Sequence, residues 1–170
     1  MIRLPLAALA ACAALLSSSA SAEGEVVRIR SNPNALILDA ARVNAGADML
    51  YLSGQLPSPL DPAKPMSEVS SIEDMGDTKA QTISTLSRIK TILESEGFTM
   101  GDLVKLSLFV AADPRTGSMD FAGVNEGFRA FFGTAENPST VARSTFQVAG
   151  LVGPHYLIEI EAIAAKAPSR

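Results

Sequence analysis

Two stretches decide the fold of this chain: Val141-Ala142-Arg143-Ser144-Thr145-Phe146-Gln147-Val148 and Leu157-Ile158-Glu159-Ile160-Glu161-Ala162. Apolar and polar residues alternate in both, which predicts two strands that each have one apolar and one polar face. The predicted inner faces are Ala142, Ser144, Phe146 and Val148 on the first strand, and Ile158, Ile160, Ala162 and Ala164 on the second. If residues 149–156 turn the chain back, the other face carries Arg143 and Thr145 beside Glu159 and Glu161.

A guanidinium beside two carboxylates has two interpretations. It can anchor a small anionic substrate, because the guanidinium fork matches a carboxylate with two parallel hydrogen bonds. It can also be a solvated sheet face with an Arg–Glu pair, which contributes about 0–1 kcal/mol. The pattern alone favours the solvated face and leaves the anion site open.

The first residues have the form of an export signal. A positive charge at Arg3 precedes an almost wholly apolar run over residues 4–16, and Ala20-Ser21-Ala22 supplies a cleavage site. We therefore predict a signal peptide over residues 1–22, a single domain over residues 23–170, and an exported, periplasmic protein. The apolar run is too short to span a bilayer. Leu9-Ala10-Ala11-Cys12 resembles a lipoprotein cleavage box, so lipid anchoring at Cys12 is the alternative.

Composition excludes several kinds of site. The net charge is −4 and no basic run occurs, which argues against nucleic-acid binding. Cleavage after Ala22 removes Cys12, the only cysteine, and His155 is the only histidine, so neither a thiolate nor a multi-histidine metal centre is expected. No G-x-S-x-G motif frames a nucleophilic serine. We therefore expect no metal centre of these kinds.

The remaining chain predicts the element order β-β-β-α-β-α-β-β. The predicted strands cover residues 25–30, 36–43, 49–53 and 103–111 before the two quoted stretches, and the predicted helices cover residues 72–96 and 119–132. Each element has one apolar side, so a sheet with helices on one face is the economical arrangement, in the α+β class.

Four blocks of the sequence resemble the RidA (YjgF) family of imine deaminases, over residues 49–165. The blocks are Ser53-Gly54-Gln55, the segment 97–109, Phe121-Ala122-Gly123-Val124-Asn125, and Ala142-Arg143-Ser144 together with residues 158–162. The resemblance implies a chorismate-mutase-like α+β fold, with a mixed six-stranded sheet, two helices packed on one face, and a homotrimer with sites between subunits.

The resemblance also implies a chemistry. Family members hydrolyse 2-imino and enamine acids to 2-keto acids and ammonia without a cofactor. By that resemblance, Arg143 binds the substrate carboxylate and Glu159 positions a water or a proton. The pocket would be shaped by Ser53, Gly54, Asn125 and Thr145.

Two positions depart from the family pattern. The family often has a Pro-Tyr pair where this chain has Leu38-Asp39-Ala40-Ala41, and often a cysteine where it has Thr145. A non-catalytic trimeric module that binds small carboxylic acids is therefore the alternative function. An endoribonuclease is a weaker alternative, because the chain is acidic.

Overall fold

The computed structural model describes residues 24–168, so the predicted signal peptide lies outside the described residues. The helices are α1 (Thr78–Ser95) and α2 (Phe121–Arg129), with short 3-10 turns at Met66–Glu68 and Met100–Asp102. The strands are β1 (Val26–Ile29), β2 (Ala40–Val43), β3 (Asp48–Gln55), β4 (Leu103–Ala111), β5 (Ala142–Val148) and β6 (Ile158–Lys166). Within residues 24–168, no helix has the length and apolar character needed to cross a membrane.

The main sheet is mixed and has the strand order β3-β6-β4-β5. Strand β5 runs parallel to β4, whereas β6 is antiparallel to both of its neighbours. The α+β class, with two helices and a mixed sheet, is therefore confirmed. The six strands do not form one continuous sheet: β1 and β2 make a separate antiparallel ribbon, because only the isolated bridge between Leu38 and Ala142 joins it to β5.

The core lies between the helices and one face of the sheet. Its fully buried members include Leu86, Ile89 and Leu93 of α1, Phe128 of α2, Leu106 and Leu108 of β4, and Ile158 and Ile160 of β6. The predicted inner face of β6 is confirmed, since Ala162 and Ala164 are buried as well. Apolar burial of this kind is the main stabilising contribution to such a fold.

Helix α1 begins later than the apolar pattern predicts. Met75 is fully buried and extends the stripe, but Gly76 has a φ of +82°, a left-handed conformation that interrupts a helix. Asp77 then caps α1 by accepting a hydrogen bond from the backbone N–H of Ala80 at 2.8 Å. The predicted start at residue 72 was therefore wrong by six residues, because a buried side chain does not require helical backbone.

Helix α2 lies unusually close to α1. A Cβ placed on Gly127 would be 2.7 Å from the Cβ of Thr82 and 3.1 Å from the carbonyl oxygen of Lys79. A Cβ on Gly123 would be 3.2 Å from the backbone nitrogen of Lys79. These glycines let the two helices touch along their backbones. The contact fixes α2 in position near β5, where the arginine of the first quoted stretch is found.

Candidate functional site

Arg143 points toward the helices. In the parallel β4–β5 ladder it pairs with Leu106, whose side chain is fully buried in the core on the helix side. Its Nη2 donates a hydrogen bond to Asn125 Oδ1 on α2 at 2.7 Å. The guanidinium carbon lies 4.6 Å from the ring centroid of Phe128 and 5.8 Å from that of Phe121. Arg143 is thus held under the helix by one amide and two aromatic rings.

The guanidinium of Arg143 has no carboxylate partner among residues 24–168. Its Nη1 is buried and makes no hydrogen bond to any described residue. Burial lowers the pKa of Arg143, and the positive charge of Arg129 lowers this pKa further. A buried donor without an acceptor is costly, so the arrangement favours a bound anion.

Thr145 lies two residues further along the same face of β5. It pairs with the buried Leu108, and its Oγ1 is itself buried without a hydrogen-bond partner among the described residues. Asn125, Thr145 and Arg143 therefore share one environment, the arginine cluster. The cluster offers a cation, an amide and a hydroxyl group, which are the groups that recognise a small carboxylate.

Glu159 lies on the other side of the sheet. It pairs with Phe109 on the face directed away from the helices, which we call the open face. A Cβ on Gly54 would be 1.9 Å from Glu159 Oε1, so the missing side chain of Gly54 leaves the room that this carboxylate occupies. Ser53 and Gly54 lie where the β3–β6 register shifts, between Leu52 and Gln55. Glu159, Gly54 and the exposed Ser53 form the glutamate cluster.

The prediction that Arg143 and Thr145 share a face with Glu159 and Glu161 was wrong. It assumed that β5 and β6 are neighbours, whereas β4 lies between them. It also assigned Phe146 to the core, although this side chain is 52% exposed and stacks on Phe109 on the open face. The other interpretation, a solvated sheet face with an Arg–Glu pair, is wrong for the same reason. The register places Glu161 opposite Ser107 on the open face, away from Arg143.

Sequence reasoning missed the surroundings of the arginine. Phe121 is 46% exposed and contacts the guanidinium. Phe121, Asn125 and Arg129 follow each other at four-residue spacing on α2, which places them on one helix face. That spacing is visible in the sequence, and it is the signal that identifies the residues around Arg143.

His155 lies in the loop between β5 and β6, and its backbone carbonyl accepts a hydrogen bond from Gln81 Nε2 at 3.0 Å. Within residues 24–168, no group of three or more His, Cys, Asp or Glu side chains converges in a way that would hold a metal ion.

Two helices cover one face of a mixed sheet, and a half-buried arginine without a carboxylate partner among residues 24–168 lies beneath the second helix, so the fold is that of an α+β protein with a partly buried cationic group. The family model described as Endoribonuclease L-PSP matches residues 39–166. The 2-iminobutanoate/2-iminopropanoate deaminase of Salmonella typhimurium is 37% identical over 118 residues, which is 69% of this chain and 80% of that protein. The chain therefore belongs to the RidA/YjgF family.

Solved structures agree with this membership. The Rid family protein YyfB from Yersinia pestis is 28% identical with a TM-score of 0.56, covering 76% of this chain and 86% of that one. The structure of Escherichia coli TdcF with bound serine is 27% identical with a TM-score of 0.53, covering 83% of this chain and 100% of that one.

Proposed function

We propose that this protein hydrolyses reactive 2-imino and enamine acids to 2-keto acids and ammonia. The observation that carries the proposal is the half-buried Arg143, which has a buried donor without an acceptor and no carboxylate partner in residues 24–168. A substrate carboxylate would supply the missing acceptor through bidentate, charge-assisted hydrogen bonds. The relative from Salmonella typhimurium, named as a deaminase of 2-iminobutanoate and 2-iminopropanoate, supports this reaction.

The reaction depends on holding the water and the imine in position rather than on a strong nucleophile. The oxygen of water adds to the imine carbon, and the electrons of the C=N bond move to nitrogen, which takes up a proton. The resulting carbinolamine then releases ammonia, while the hydroxyl group loses its proton and forms the carbonyl. An effective molarity of about 10⁵ M can arise when water and imine are held in attack geometry. Arg143 would fix the position of the imine by binding the carboxylate of the substrate.

Glu159 is the proposed group for moving the proton. Its carboxylate lies against Gly54, beside the exposed Ser53. A carboxylate within hydrogen-bond reach of the water would accept a proton during attack and return it to the leaving nitrogen.

The proposed site combines two protomers. Arg143 faces the helices and Glu159 lies on the open face, so the sheet of one chain separates its arginine cluster from its glutamate cluster. The arginine cluster is on the edge strand β5, whereas the glutamate cluster lies at β3 and β6 near the other edge. A head-to-tail contact would join the arginine cluster of one chain to the glutamate cluster of the next, and such contacts form a ring when the rotation between successive chains closes. We propose a homotrimer of this kind.

The direct test uses an amino-acid oxidase to generate imines, which are trapped with semicarbazide in the presence of residues 23–170. The wild-type protein is expected to lower the yield of semicarbazone by hydrolysing the imine first. Arg143→Ala should reduce kcat/KM about 100-fold, because a charge-assisted contact to the substrate is lost. Arg88→Ala is the matched control, since it removes an exposed arginine from α1. Equal activity of Arg143→Ala and the wild type would contradict the proposal.

A binding module without turnover is the second candidate. The arginine cluster has an acid-recognising set of groups that does not depend on Glu159, so it would bind a keto acid even if no water is activated. Calorimetry with 2-ketobutyrate separates the two candidates, because binding without hydrolysis of the imine favours the module. Cleavage of RNA at catalytic enzyme concentration would instead favour the endoribonuclease activity in the family description.

We further propose that residues 1–22 are removed during export to the periplasm, leaving a single domain over residues 23–170. Mass spectrometry of the protein recovered from cells tests this directly. A mature N-terminus at Glu23 is expected, whereas a lipid-modified Cys12 would support the alternative of membrane anchoring.

A further inference from the structure

A second positive charge accompanies Arg143 on α2. Arg129 follows Asn125 by four residues, so both lie on the helix face that meets the guanidinium of Arg143. One helical turn separates the two positions, a distance of about 6 Å along the axis. Arg129 is close enough to Arg143 to lower the pKa of the latter by charge repulsion.

Arg129 makes no ion pair or hydrogen bond with any residue between 24 and 168. A cation in the last turn of a helix interacts favourably with the helix dipole, which explains why an arginine is tolerated there. The interaction with the helix dipole does not explain why Arg129 lies on the same helix face as Asn125. It also does not explain why Arg129 lies near Arg143, a second arginine without a carboxylate partner among residues 24–168. Two like charges held together without a carboxylate are stabilised when an anion joins them.

A cavity lies beside Arg129 at the start of β5. Its volume is about 430 Å³, and it opens between the end of α2 and the loop that precedes β2. Arg129 and Arg30 line it together with the polar side chains of Asn34 and Thr140. Thr140, which lies three residues before Arg143 in the chain, lines the cavity together with two arginines, Arg30 and Arg129, and no carboxylate of the described residues lines it.

We propose that the preferred substrates are 2-imino dicarboxylic acids, with the carboxylate next to the imine on Arg143 and the distal carboxylate on Arg129. The proposal rests on the proposed function, because it assigns a substrate class to the same site. The distal carboxylate of an acid of four or five carbons would reach Arg129, which lies about one helical turn from the Asn125 that holds Arg143. Their imines arise when a dicarboxylic amino acid is oxidised at its amino group.

The test compares a diacid with a monoacid. Calorimetry measures the Kd of 2-ketoglutarate and of 2-ketobutyrate, and the semicarbazide assay measures kcat/KM for the imines made by oxidation of glutamate and of methionine. The wild type should favour the diacid in both measurements by about tenfold or more, since a second charged hydrogen bond is made. Arg129→Gln should abolish this preference, because it should weaken the diacid at least tenfold more than the monoacid. Arg129→Lys should keep part of it, and Arg88→Gln, an equal charge change on the exposed side of α1, should keep all of it.

The outcomes separate the two proposals. If the diacid is preferred in binding through Arg129 but neither imine is hydrolysed, the substrate assignment stands and the deaminase function fails. If both imines are hydrolysed equally well, or if Arg129→Gln weakens both ligands alike while its circular dichroism matches the wild type, the dicarboxylate proposal is overturned.

Discussion

Arg143 illustrates what one side chain contributes when its surroundings remove its usual partners. Its guanidinium contacts the amide of Asn125 and the rings of Phe121 and Phe128, and none of these groups neutralises its charge. A surface arginine would be hydrated or paired at little energetic cost. The half-buried Arg143 instead keeps a donor without an acceptor among residues 24–168, and this is the physical basis for the proposal that it binds a carboxylate.

Gly54→Ala tests the glutamate cluster at the scale of one methyl group. The new Cβ would overlap Glu159 Oε1, now 1.9 Å from the ideal Cβ position, so the carboxylate must move. Because the displaced atom is the end of a flexible side chain, the free energy of unfolding should change by less than about 1 kcal/mol. We expect kcat/KM in the semicarbazide assay to fall about tenfold or more, since small misplacements of a catalytic group are costly.

Gly150→Ala is the control for this variant, because no atom lies within 4 Å of the Cβ that it adds. Full activity of Gly54→Ala, with Glu159 displaced in its structure, would show that the position of this carboxylate does not matter for turnover.

At the residue scale, alternation grouped the residues of β5 by face but assigned the wrong group to the core. Alternation separates Arg143 and Thr145 from Ser144 and Phe146, but it does not say which set faces the helices. The set with Arg143 and Thr145 is polar, yet it faces the helices, so the more apolar set does not mark the core face of β5. The pairing of Arg143 with Leu106 shows which set faces the helices. Leu106 lies on β4, 37 positions earlier in the chain, so this contact is not visible in the local pattern of β5.

The packing of α1 against α2 is the element-scale feature that positions Asn125. Gly127→Ala would place a Cβ 2.7 Å from the Cβ of Thr82, and neither backbone can move without shifting its helix. Overpacking of this kind lowers the free energy of unfolding by about 1–3 kcal/mol, and the higher helix propensity of alanine offsets up to about 1 kcal/mol of this loss. We expect a net loss of about 1 kcal/mol in urea unfolding. Gly101→Ala is the control, because its nearest atom would be at an ordinary 3.5 Å.

The loop before α1 carries a pH-sensitive contact. Lys64 Nζ lies 2.5 Å from Asp74 Oδ1, and the hydrogen bond from Lys64 lowers the pKa of Asp74 from 3.8 to about 2, with help from the backbone N–H of Ser70. A depressed folded-state pKa means that the carboxylate stabilises the fold above the unfolded pKa of 3.8 and that this contribution is lost as the pH falls toward 2.

Asp74→Asn should therefore be less stable than the wild type at pH 7, and the two proteins should converge between about pH 4 and pH 2. Urea unfolding at a series of pH values measures the difference. A gap between the two proteins that stays constant down to pH 2 would contradict the assigned cause. The effect is expected to be small, because both side chains are near the surface.

Element types were predicted well where the apolar pattern had one clear period. Strand β4 was predicted at residues 103–111 and occupies those residues, because its apolar side chains alternate without interruption. The neighbours of each strand were not predictable in the same way. Consecutive strands often pair, but the crossover through α2 places β5 parallel to β4 and leaves β6 on the far side of β4.

At the scale of the whole molecule, the sheet divides the predicted site residues. Arg143, Asn125 and Thr145 lie on the helix side near the β5 edge, and Glu159 with Gly54 lies on the open face near β3. The open face also exposes Tyr51 and Phe146, which are 71% and 52% exposed, so apolar surface is available for contact between chains. A catalytic site that uses both clusters therefore requires two protomers, which makes assembly part of the proposed mechanism.

The most direct measurement of this claim mixes two inactive subunits. Arg143→Ala and Glu159→Gln are co-expressed with different affinity tags and purified on both tags in succession, so that every oligomer contains both subunit types. In a head-to-tail trimer, one site of the three would then combine an intact arginine with an intact glutamate, and about one third of wild-type activity should return. Mixed oligomers with no more activity than the separate variants would contradict a site shared between protomers.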